Sequence, residues 1–120
     1  MKLIKPNFEI ITQNPNNDGM LKHIELCGRV CYKSEDKIKD NTAAIFVNGL
    51  IKSGHTSVLE HGTVYLIIHE NNLAISKYQY NKYSVVATSN DEEDENYYIT
   101  TNYRVLVENG WLEDLQYQCN

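Results

Sequence analysis

Between residues 41 and 69 the hydrophobic period of the chain changes from that of a helix to that of a strand. In Asn41 to Gly54 the apolar residues Ala43, Phe46, Val47, Leu50 and Ile51 recur at i, i+3, i+4, i+7 and i+8, the spacing of one helix face. Asp40 or Asn41 is placed to cap its start, and Gly54 suits the left-handed position past its end. Gly62 to His69 (Gly-Thr-Val-Tyr-Leu-Ile-Ile-His) is β-branched and aromatic throughout, which predicts a strand buried on at least one face. A chain that must bury both surfaces, without a regular βαβ alternation, is of the α+β class, with a helix pair packed on a mostly antiparallel sheet.

The remaining elements are predicted around this pair. Residues 7–12 are rich in β-formers and read as a strand, with Pro6 suggesting an edge position. Gln13 to Gly19 is a loop by composition, and Asp18 can cap a helix over 19–32 that carries Met20, Leu21, Ile24, Cys27, Gly28 and Cys31 near helical spacing. A polar stretch covers Lys33 to Asp40. Leu73 to Tyr80 reads as a short helix, Tyr83 to Ala87 as a short strand and Tyr97 to Thr100 as extended. Thr101 or Asn102 can cap a helix through Asn109 that Gly110 ends, although Val105 and Val107 leave a strand open there. Trp111 to Leu115 predicts a last helical turn or two. No linker divides the 120 residues, so they are expected to form a single domain.

The net charge of -5 is local. The run Asp91-Glu92-Glu93-Asp94-Glu95 accounts for it, and acids and bases balance elsewhere; such a run is most simply a solvated loop. Arg29 and Arg104 are the only arginines, too few for a wide nucleic-acid surface or for bidentate phosphate clamps, so no nucleic-acid partner is expected. The N-terminus lacks the apolar region of a signal peptide and no apolar run approaches membrane-spanning length, so a cytoplasmic protein without membrane contact is expected. The three cysteines form neither a zinc knuckle nor a redox CxxC, and reduced, partly buried thiols are expected.

Chemistry is densest at Gly54-His55-Thr56-Ser57-Val58-Leu59-Glu60-His61, where two imidazoles, two hydroxyls and a carboxylate sit between helix and strand. A junction of this kind presents side chains from a rigid scaffold. Ser57 to Glu60 also has the form of a capping box, a structural role that does not exclude ligand contact. As a metal site the cluster is poor, since His55 and His61 are not spaced as on an HExxH helix, and Ser57 lacks the GxSxG elbow of a hydrolase.

Taken with Gly28-Arg29-Val30-Cys31-Tyr32-Lys33-Ser34 and the helix ending Leu50-Ile51-Lys52-Ser53-Gly54, this junction resembles the N-terminal part of the flavin-dependent thymidylate synthases, with their ARVCY-like helix and GHxSxxEH junction. Residues 1–69 resemble the family core. Residues 70–120, with Tyr98 to Asn109 and the acidic loop 91–95, resemble an insertion found in a subset of the family. The resemblance implies an enzyme that makes thymidylate from dUMP by reductive methylation, with methylenetetrahydrofolate as one-carbon donor, FAD as hydride carrier and NADPH as reductant. It implies a homotetramer with flavin sites built from several subunits. It also makes Ser57 a flavin contact, puts His55 and Glu60 beside the flavin or folate, and requires no cysteine nucleophile. For Arg29 a helix-face salt bridge is the favoured reading, and for Asn102-x-Arg104 a helix cap.

The resemblance lacks the family's arginine- and histidine-rich signature, RHRxxSxNExSxRY or a variant, which holds the nucleotide phosphate and the flavin. The expectation is an incomplete version of that fold, truncated before the signature and not a competent synthase alone. The alternatives are a split-enzyme subunit that needs a complementary chain, or a non-catalytic assembly module. A further alternative is a small structural protein whose Tyr78, Tyr80, Tyr83, Tyr97, Tyr98 and Tyr103 form an exposed aromatic surface for oligomerisation.

Overall fold

The computed structural model describes residues 5–119. The first helix, α1 (Asn17–Cys31), is followed by a 3₁₀ turn at Glu35–Lys37 and by α2 (Ala43–Lys52). A second 3₁₀ turn, Thr56–His61, leads into β1 (Thr63–His69). Then come α3 (Ala74–Gln79), β2 (Val85–Thr88), β3 (Asn96–Asn102), α4 (Tyr103–Asn109) and a last 3₁₀ turn at Leu112–Tyr117. The three strands form one antiparallel sheet in the order β1-β3-β2. This is the α+β arrangement expected, with α1 packed on α2 and a small antiparallel sheet.

Burial follows the predicted periods. In β1, Val64, Leu66 and Ile68 point into the core while Tyr65, Ile67 and His69 face outward, as a half-buried strand requires. From α2, Ala43, Val47 and Leu50 are buried, and Met20 and Ile24 of α1 meet them in the same core with Leu59, Ile99, Tyr78 and Leu106. Gly54 and Gly110 follow α2 and α4 at φ 75° and 74°. In each case the next residue's N–H reaches back, His55 to the Leu50 carbonyl at 2.9 Å and Trp111 to the Leu106 carbonyl at 2.8 Å. These are Schellman endings, which a side-chain-bearing residue would strain.

Several expectations are corrected. Residues 7–12 form no strand: Phe8, Ile10 and Ile11 are 85%, 78% and 52% exposed. The outer edge of β1 beside them is taken, because the Gln13 side chain donates to the Thr63 carbonyl at 2.8 Å and accepts from its N–H at 2.9 Å. Asn16, not Asp18, caps α1, accepting from the Gly19 N–H at 2.8 Å, and the helix starts two residues earlier than expected. Asp18 falls in the first turn, where a carboxylate suits the helix dipole. Neither Asp40 nor Asn41 caps α2; Thr42 occupies that position and turns its hydroxyl to the Lys39 backbone. The aromatic surface is not there as a unit, since Tyr78 and Tyr103 are core residues and Tyr97 is partly buried against that core. Cys31 and Cys119 are exposed and Cys27 half-buried, all three as free thiols.

Candidate functional site

The junction residues are carried by the Thr56–His61 3₁₀ turn. Leu59, fully buried, anchors it between α1, α2 and α4, and the exposed side of the turn carries Ser57 and Glu60. At three residues per turn these two share a face. The capping box does not form: the turn begins at Thr56 with His55 before it, and no side chain caps it. The Glu60 carboxylate instead accepts from Arg104 Nη1 at 2.9 Å.

Arg104 connects the junction to α4. Its Nε donates to Glu108 Oε1 at 3.0 Å, one helical turn on, and the Thr56 hydroxyl donates to the same oxygen at 2.8 Å. The Arg104 bond, reinforced by Thr56, holds the Glu108 carboxyl below the usual range, while bonds to Glu108 and Glu60 push Arg104 up. Glu60, Arg104 and Glu108 line an open cavity of about 510 Å³ with Lys82, Tyr83 and Asn102. Thr56 stands in the sequence cluster as one of its two hydroxyls, without a role of its own. Glu108 was legible only as the i+4 neighbour of Arg104 on a helix.

The structure therefore divides the predicted site residues. Glu60 faces the cavity. His55 and Ser57 do not line it: both are exposed, and His55 Nδ1 lies 3.4 Å from the Tyr32 hydroxyl. This contact joins the junction to the ARVCY-like end of α1, bringing two separated motifs together. Asn102 caps α4, accepting from the Val105 N–H at 3.1 Å, which settles the Asn102-x-Arg104 pattern as a cap and the segment as helix.

Arg29 also has the structural role expected. Its Nε donates to Glu25 Oε2 at 2.8 Å, Glu25 being 1% exposed, and its guanidinium lies 4.5 Å from the centre of the Phe46 ring. Both guanidinium groups of the chain are thus bound to carboxylates, which offset the charge that either could offer an anionic ligand. Among the described residues no group of three or more His, Cys, Asp or Glu side chains could hold a metal ion, and no helix is long and apolar enough to cross a membrane.

An α+β scaffold that presents a GHxSxxEH junction between a helix pair and a strand defines a class of protein, and comparison identifies it. The family described as thymidylate synthase complementing protein matches over residues 10–81, and the chain belongs to that family. It is similar to the flavin-dependent thymidylate synthase of Mycolicibacterium vanbaalenii, 47% identical over 49 residues that cover 39% of this chain. The match spans 20% of that relative's length. No solved structure matches significantly.

Proposed function

We propose that the chain supplies the N-terminal wall of a flavin-dependent thymidylate synthase, an incomplete version of that enzyme's fold, and is not a competent synthase alone. The reaction is the reductive methylation of dUMP to dTMP with methylenetetrahydrofolate, FAD and NADPH, in a homo-oligomer whose sites are completed by other segments. Residues 1–69 are the family core and residues 70–120 an insertion. The observation that carries the reading is the junction itself: His55 and Ser57 stand exposed on a turn fixed by buried Leu59, free to meet a ligand from outside.

The residues present fit part of a flavin and not all of it. Ser57, exposed and without a side-chain partner among the described residues, offers a hydroxyl to a polar edge of the ring system, with His55 beside it. FAD supplies the hydride when bound. The pyrophosphate meets no guanidinium whose charge is not already offset by a carboxylate, because Arg29 holds Glu25 and Arg104 holds Glu60 and Glu108. That pairing also favours the second reading, a split-enzyme subunit or assembly module that works with a complementary chain carrying the arginine-rich segment.

The test is turnover. Purified chain given dUMP, methylenetetrahydrofolate, NADPH and FAD is expected to form no dTMP above the buffer blank. Addition of a polypeptide carrying the arginine-rich segment is expected to restore it if the chain is a split-enzyme subunit, and not if it is an assembly module. Turnover by the chain alone would refute the incomplete-site reading.

A further inference from the structure

Residues 7–12 have the composition of a strand and no strand partner among the described residues. Their unpacked course shows in the radius of gyration, 17.0 Å, against about 14 Å for a compact domain of this length. The sheet has a matching vacancy, because among the described residues β2 pairs only with β3 and its outer edge is free. An unpaired edge presents backbone donors and acceptors to any extended segment that can reach it.

The arm cannot reach that edge in its own chain. Gln13 is fixed to Thr63 at the outer side of β1, the far edge of the sheet. Crossing from there to a position beyond β2 covers four strand spacings, roughly 19 Å, which at about 3.4 Å per residue consumes about six residues, the whole of 7–12. Its own β1 edge is closed as well, by Gln13 at Thr63 and by the Cys119 N–H, which donates to the Tyr65 carbonyl at 2.8 Å.

We propose that residues 7–12 of one copy add as an antiparallel strand to the free edge of β2 in a second copy. Charge sets the direction. β2 runs toward the acidic loop 91–95, so antiparallel addition brings the Lys5 end of the arm beside those carboxylates, whereas parallel addition would bring it beside Lys82. The open face of the sheet is apolar at Tyr65, Ile67, Tyr98 and Val85, which are 53%, 36%, 37% and 64% exposed. Register aligns Tyr65 with Thr100 and Val85, and Ile67 with Tyr98 and Ala87, so the patch is continuous across all three strands. An added strand with Phe8 and Ile10 on that side extends it.

This exchange gives the homo-oligomer of the proposed function a defined contact and rests on that part of the reading. The test is light scattering on the full chain and three variants. The wild type is expected at a multiple of 13.9 kDa, and Glu9→Pro, which removes a ladder donor from the exposed arm because with Phe8 and Ile10 on the open face the Glu9 N–H is the one turned to β2, at 13.9 kDa with unchanged circular dichroism. Lys5→Glu is expected to weaken association about fivefold at low salt. Combining it with Glu92→Lys and Glu93→Lys is expected to recover the loss. A Glu9→Pro chain with the wild-type mass would overturn the strand exchange and leave the homo-oligomer standing. A monomeric wild type at the highest soluble concentration would overturn both.

Discussion

Replacing Arg29 with methionine keeps much of the side-chain volume and removes the charge, leaving the Glu25 carboxylate, 1% exposed, without its 2.8 Å partner. An exposed i,i+4 pair contributes about 0.3–0.5 kcal/mol, but stranding a buried charge costs about 3–5 kcal/mol. The contact over Phe46 adds about 0.5–1 kcal/mol to the loss. Against a total stability of about 5–15 kcal/mol for a domain, Arg29→Met should bring the chain close to unfolding. In urea, with a slope of about 2 kcal/mol per molar, the midpoint should fall by about 2 M. Glu25→Leu combined with Arg29→Met should recover most of it, since replacing both partners of a buried pair by apolar groups is often neutral. Lys22→Met, which breaks the exposed Asp18–Lys22 pair at 3.1 Å, is the control and should shift the midpoint little. An Arg29→Met shift no larger than the control's would refute the structural role assigned to Arg29 and reopen it as a ligand contact.

Other outcomes follow from the same structure. Asn102→Ala removes the cap of α4 and should cost about 1 kcal/mol in urea denaturation, with Asn102→Asp nearly neutral. Leu59→Ala empties the anchor of the junction and should cost about 2–5 kcal/mol; a cost below 1 kcal/mol would mean that the turn is not held from beneath. Tyr78, fully buried, donates to Asp114 Oδ2 at 2.7 Å, and burial, then that bond, push its hydroxyl above the usual tyrosine range. A raised folded-state value is a contribution present below pH about 10 and lost as pH rises past it, so Tyr78→Phe should flatten the alkaline limb of stability against pH.

Periodicity made the scaffold legible: the α2 stripe, the alternation of β1 and the glycine-ended helices lie where residue spacing puts them. The exceptions have local causes. Residues 7–12 have the side chains of a strand, but strand formation depends on an available edge, and the one nearest is closed by the Gln13 amide at Thr63 and the Cys119 N–H at Tyr65. The capping box at Ser57 and Glu60 was a correct local pattern overridden by a guanidinium from α4, far along the chain, which no local window contains. At α1 the cap moved to Asn16, whose side chain accepts from the Gly19 N–H, and α2 starts after Thr42 with no side-chain cap. At the site the motif was visible in sequence, whereas the division between exposed His55 and Ser57 and engaged Glu60 needed the tertiary contact with Arg104. That both arginines are paired with carboxylates is visible only in the fold.

Ser57 and His55 are exposed at the junction, while both guanidinium groups are paired with carboxylates. Gel filtration of the purified chain with excess FAD, followed by absorbance at the flavin band, tests this most directly. The predicted result is protein eluting without stoichiometric flavin; one flavin retained per chain, by this chain alone, would contradict it.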